Sequence, residues 1–159
     1  MRTATWGAAL SLALATLLAP AAQAQDRVQA GVLACNVAGG IGVIIGSRKE
    51  VSCTYSPAGG GRPEYYYGAI SKFGLDIGAT SGGRMVWTVF APTRGFAPGG
   101  LAGNYAGATG EATIAAGLGA NVLVGGSNRT VALQPISVSG QTGLNLAVGV
   151  AALNLRLAR

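Results

Sequence analysis

No histidine occurs in this 159-residue chain, cysteine occurs twice, and only 10% of the residues are charged. Without histidine there is no Ser-His-Asp triad, and two cysteines alone do not supply a zinc site. The acids number five, Asp26, Glu50, Glu64, Asp76 and Glu111, and no two are close in sequence. That spacing carries no sign of a glycosidase pair or a calcium loop. A Ser-x-x-Lys nucleophile is missing, because Gly46 and Ala69 stand three residues before Lys49 and Lys72. Gly59, Gly60, Gly61 and Arg62 lack the lysine, the hydroxyl and the following helix of a phosphate loop. These residues point away from an enzyme, and no catalytic residue, cofactor or metal is expected. Half of the chain is hydrophobic, which excludes extended disorder. Its 27 glycines follow no three-residue period, which excludes a collagen helix.

What is present begins with an address. Arg2 precedes an apolar stretch over 6–18, Pro20 ends it, and Ala22, Gln23 and Ala24 form a small-x-small cleavage site before Gln25, Asp26 and Arg27. This is the layout of a secretory signal. A spanning helix needs about 20 apolar residues, and this run is shorter and meets a proline. Cleavage between Ala24 and Gln25 is expected, with residues 1–24 as signal peptide and 25–159 as one β domain. Losing Arg2 lowers the formal charge from +6 to +5. The remaining basic residues are scattered, with only Arg48 and Lys49 adjacent. A nucleic-acid partner would ask for a cluster or stripe, so none is expected.

Cys35 and Cys53 both fall in the exported part. An even cysteine count in an oxidising compartment reads as a disulfide, and two cysteines allow one pairing. The C-x-x-C spacing of a redox site is absent. Both cysteines lie in strand-like runs, 28–35 and 50–55, so the bond would join two early strands across the glycine-rich segment 38–46.

Period two dominates the rest of the chain. Phe73, Leu75, Ile77 and Ala79 alternate with polar or small residues, the signature of a half-buried strand. Over 84–92, Met85, Trp87 and Val89 share one phase and Val86, Thr88 and Phe90 the other, which reads as a strand covered on both faces. Near the end, Leu144, Leu146, Val148 and Val150 share a phase that Leu153, Leu155 and Leu157 reverse. One extra residue in a strand is a β-bulge, predicted at Ala151 and Ala152. Further strands are predicted over 40–45, 65–70, 100–108, 112–117, 121–124 and 130–135, separated by glycine-rich turns that tolerate positive φ. The expected fold class is all-β: a compact antiparallel barrel or sandwich of roughly eight to ten short strands, preceded by a signal-peptide helix.

The one concentrated chemical feature is aromatic. Tyr65, Tyr66 and Tyr67 are consecutive, with Trp87 downstream. In a strand Tyr65 and Tyr67 point one way and Tyr66 the other. Packing explains such residues well; as a candidate binding surface, the four would meet a glycan, lipid or protein.

Several segments together resemble the bacterial domain-of-unknown-function 992 family. They are Gly31-Val-Leu-Ala-Cys35, Gly42-Val-Ile-Ile-Gly-Ser47, Cys53, Ile70-Ser-Lys-Phe-Gly-Leu-Asp-Ile-Gly78, Gly117 through Arg129, Val131-Ala-Leu-Gln-Pro135 and Gln141 through Gly149. The resemblance covers nearly the whole exported chain, including both cysteines. It implies a small exported bacterial protein and carries over no catalytic residue. The expected function is non-enzymatic: a periplasmic or secreted β module that binds or supports an envelope component (protein, glycan or lipid), with self-association as a further expectation. The alternative is a small outer-membrane β-barrel, since such barrels also read as alternating strands joined by turns. Gly- and Ala-rich strand faces, and an end at Leu157, Ala158 and Arg159 without a terminal aromatic, weigh against it.

Overall fold

A computed structural model of the chain describes residues 27–42, 47–72, 78–80, 82–107, 121–139 and 150–159. The expected leader and cleavage site at Ala24 and Gln25, residues 73–77 of the alternating run that begins at Phe73, the strand expected over 112–117 and the alternating run 144–149 lie outside them. Ten strands are described: β1 (Val28–Val37), β2 (Gly40–Gly42), β3 (Ser47–Pro57), β4 (Glu64–Lys72), β5 (Gly78–Thr80), β6 (Gly83–Ala91), β7 (Gly103–Gly107), β8 (Leu123–Gly125), β9 (Val131–Ser139) and β10 (Val150–Leu157). Eight close into an antiparallel barrel in the order β1-β3-β4-β10-β7-β8-β9-β6, while β2 and β5 pair separately. Closure removes the unpaired edges that an open sheet would expose.

The barrel is not a simple meander. β1, β3 and β4 are successive neighbours, as are β7, β8 and β9, but β10 is inserted between β4 and β7, and β6 between β9 and β1. Residues 92–102, which join β6 to β7, close one end of the barrel. Leu101 in this segment is fully buried, and Phe96 meets the Tyr55 ring edge-on at 6.1 Å between centroids.

Alternation sets the two faces of the wall. Leu33, Cys35 and Val37 of β1, Val51, Cys53 and Tyr55 of β3, Tyr66 and Ile70 of β4, Met85, Trp87 and Val89 of β6, and Leu153 and Leu155 of β10 form one buried core. Between them, Asn36, Arg48, Glu50, Ser52, Tyr65, Tyr67 and Arg156 are exposed. On β6 the outer face is less covered than its sequence suggests. Arg84 is exposed and Val86 and Phe90 are half-buried, and only Thr88 is buried there. Its neighbours in register are Val32 on β1 and Gln134 on β9.

The bulge expected near the end of the chain is present: pairing of β10 with β4 slips between Val150 and Ala152. Two others appear, at Gln29/Gly31 of β1 and where β9 meets β6 opposite Val86/Trp87. Cys35 stands directly opposite Cys53 in the β1–β3 ladder and is bonded to it, with 4.0 Å between their Cα atoms. Both half-cystines face the core, so the bond fastens the first hairpin from inside.

Candidate binding groove

The four aromatic residues singled out from sequence separate into two classes. Tyr65 and Tyr67 are 60% and 62% exposed, while Tyr66 and Trp87 are each 1% exposed. The alternation of β4 accounts for the tyrosines. Trp87 points inward from β6 because its register neighbours Leu33 and Pro135 place it on the core side of the wall. A shared contact surface of all four is therefore ruled out; Tyr66 and Trp87 are core residues.

Tyr66 has a second task. Its hydroxyl donates to the Glu64 carboxylate and accepts from the Leu101 N–H at 3.4 Å. Glu64 also accepts from the Gly99 N–H at 3.3 Å, and the Tyr105 hydroxyl donates to the Leu101 carbonyl at 2.8 Å. These bonds hold the end-closing segment 92–102. Burial, and then the bond to Glu64, push the Tyr66 hydroxyl well above the usual tyrosine range. Burial does the same to Tyr105.

The exposed pair Tyr65 and Tyr67 belongs to a different surface, the outer face of β3, β4, β10 and β7. Register arranges it in cross-strand rows. Arg48, Ser71, Ala152 and Ala106 form the first row, and Glu50, Ala69, Asn154 and Asn104 the second. Ser52, Tyr67 and Arg156 form the third. The small residues of the first two rows leave a trough between longer side chains. One lobe, about 420 Å³, lies over Ala69, Ser71 and Ala152 toward Asn104. A second, about 260 Å³, extends over Gly68 toward Tyr67 and Glu50. Arg48, Ala69, Asn154 and Arg156 line both lobes, which makes them one groove. The Asn154 side-chain amide donates to the Asn104 side-chain carbonyl at 2.6 Å, fixing two polar groups at its β7 edge.

The sequence names only Tyr67 of this groove. Arg48 and Arg156 sit on strands at opposite ends of the chain, and each reads alone as a scattered surface charge. Asn104 and Asn154 give no local signal either. Their convergence depends on the insertion of β10 between β4 and β7, which no local pattern announces.

The family model described as "Protein of unknown function (DUF992)" matches residues 13–156. The chain belongs to the DUF992 family. The matched span contains both half-cystines and every groove residue, ending on Arg156. DUF992 membership thus encompasses the whole described barrel up to that residue. No curated protein and no solved structure shows significant similarity to the chain.

Proposed function

We propose that this DUF992 chain is an exported, non-enzymatic barrel that binds an envelope component at the groove on β3, β4, β10 and β7. The observation that carries this reading is the convergence of Arg48, Arg156 and exposed Tyr67 around a floor of Ala69, Ser71 and Ala152. A rigid, closed wall presenting two cations and an aromatic ring is suited to recognition. Export is supported by the secretory layout of residues 1–24 and by the buried disulfide, which suits an oxidising compartment. A role without bond chemistry is supported by the acids. Of the two described acids, Glu64 is engaged in holding residues 92–102, and Glu50 lines the groove beside Arg48 and Arg156, with no second carboxylate among the described lining residues.

The sidedness of the wall favours a barrel surrounded by water over one surrounded by lipid. A membrane barrel carries an apolar outer band and a polar interior. Here bulky apolar residues make up the described interior apart from buried Lys49, and Arg48, Glu50, Ser52 and Arg156 face outward. Membrane barrels are also up-and-down, whereas this order inserts β10 and β6 between non-sequential neighbours.

Fractionation of the producing cells, with mass spectrometry of the exported chain and co-sedimentation with purified envelope fragments, tests the reading. The expected result is a chain beginning at Gln25, released without detergent, that sediments with envelope fragments. An Arg48→Ala/Tyr67→Ala/Arg156→Ala variant should lose sedimentation while keeping its melting temperature. Recovery only in detergent, or sedimentation unchanged in the variant, would overturn it.

A further inference from the structure

We infer that the groove takes an acidic glycan, a saccharide chain carrying repeated carboxylates, with Tyr67 against a sugar ring and Arg48 and Arg156 on two of its acid groups. This rests on the groove being the binding site and names the ligand that its chemistry fits.

Three features select this class. The first is charge. Two arginines line both lobes, with Glu50 as the one acid among the lining residues, and guanidinium groups pair bidentately with carboxylates. The second is span. Arg48 and Arg156 lie two strands apart, and Arg156 is four residues along β10 from Ala152, which shares the row of Arg48. With strands about 4.8 Å apart and about 3.3 Å per residue, their Cα atoms are separated by roughly 16 Å. Two cations set along a trough at that spacing suit an extended ligand with several acid groups better than a single small anion.

The third is the lining between the cations. The outward-facing floor is Gly68, Ala69, Ser71 and Ala152; Tyr105 and Leu153 also border it, but both are buried in the core. Such a floor gives a lipid chain little to hold, while it lets a flat sugar ring approach the sheet. Tyr67 offers an exposed ring whose face suits the apolar face of a pyranose. The Asn104–Asn154 amide pair and Glu50 supply donors and acceptors for hydroxyls. Of the exposed large aliphatic residues among those described, Ile136 lies on β9, away from the groove, and Leu157 ends β10 beside Gly99, outside the groove lining.

The test is calorimetric titration of the exported, disulfide-bonded chain with three probes: hexagalacturonate, its fully methyl-esterified counterpart, and vesicles of phosphatidylglycerol and phosphatidylcholine. Binding of the acid hexamer is expected, at least about tenfold tighter than its ester. Arg48→Ala and Arg156→Ala should each weaken it by about tenfold or more, and added salt should weaken it further. The melting temperature of each variant is measured alongside and should stay at the parent value.

Equal binding of acid and ester would overturn the acidic class. So would vesicle binding that depends on both arginines without hexamer binding, which would assign the groove to a lipid headgroup. Absence of binding to all three probes overturns the acidic glycan, and envelope co-sedimentation then separates the two levels. If sedimentation still depends on Arg48, Tyr67 and Arg156, the groove stands and only its ligand class falls. If it does not, the groove reading falls as well.

Discussion

The Tyr66 hydroxyl donates to the carboxylate of Glu64, two residues back on the same strand, and both groups also accept from the segment that closes the barrel end. The strand thereby sends one tyrosine inward to hold its own end cover, while Tyr65 and Tyr67 on either side stand in solvent. Tyr66→Phe keeps the ring and removes the hydroxyl, leaving the Leu101 N–H without its acceptor. A loss of about 1–3 kcal/mol is expected, measured by urea denaturation. Amide exchange should accelerate first at Gly99 and Leu101; unchanged protection there would show that the hydroxyl does not hold the segment.

The same burial sets an alkaline limit. Tyr55, Tyr66 and Tyr105 all have hydroxyls shifted upward, each mainly by burial. A folded-state value above the usual value of about 10 means the folded chain keeps its phenolic protons longer than the unfolded chain. This contribution is complete below about pH 10 and is lost as the pH rises beyond it. Denaturation midpoints should therefore decline above about pH 10. Tyr105→Phe should reduce the slope of that decline.

Removing the disulfide should cost more than its small loop suggests to the eye. Cys35 and Cys53 are separated by 18 residues, and a loop of that size contributes about 3 kcal/mol by chain entropy. The Cys35→Ala/Cys53→Ala chain should retain the barrel, with a lower midpoint in guanidinium. An unchanged midpoint would mean that the β1–β3 ladder is equally constrained in the unfolded reduced chain.

Trp87 and Tyr67 give opposite outcomes on truncation. Trp87→Ala empties a fully enclosed core position and should cost about 3–5 kcal/mol. Tyr67→Ala removes an exposed ring and should change stability by no more than about 0.5 kcal/mol. Its effect should appear instead in binding. Thermal unfolding of the two variants side by side checks the contrast.

Gly68 tests how closely β4 and β10 approach. A Cβ at this position would run into the carbonyl of Asn154 on the neighbouring strand. Gly68→Ala should therefore destabilise the chain, although alanine ordinarily suits an extended backbone better than glycine. Comparison of its melting temperature with that of Ala69→Gly, on the outer face, checks the direction.

The strands themselves were legible because alternation is local. The inward set of β10, Leu153 and Leu155, and the bulge before it follow from a phase change within one segment. The opposition of Cys35 and Cys53 follows from two cysteines in adjacent strands, and the split of Tyr65 and Tyr67 from Tyr66 follows from side chains pointing to opposite faces. Trp87 was ambiguous, because both phases of β6 are rich in apolar residues and only closure decides which one faces the core.

What tertiary structure alone decided is the order of strands around the wall, and with it the groove. Pairing of β4 with β10 and of β6 with β9 joins segments far apart in the chain, and hydrogen-bonded ladders carry no sequence label for their partner. Arg48 and Arg156 become neighbours of one trough only through that pairing. Alternation is imposed within each strand by backbone geometry; strand order is imposed by how the whole set of apolar faces can close around one core.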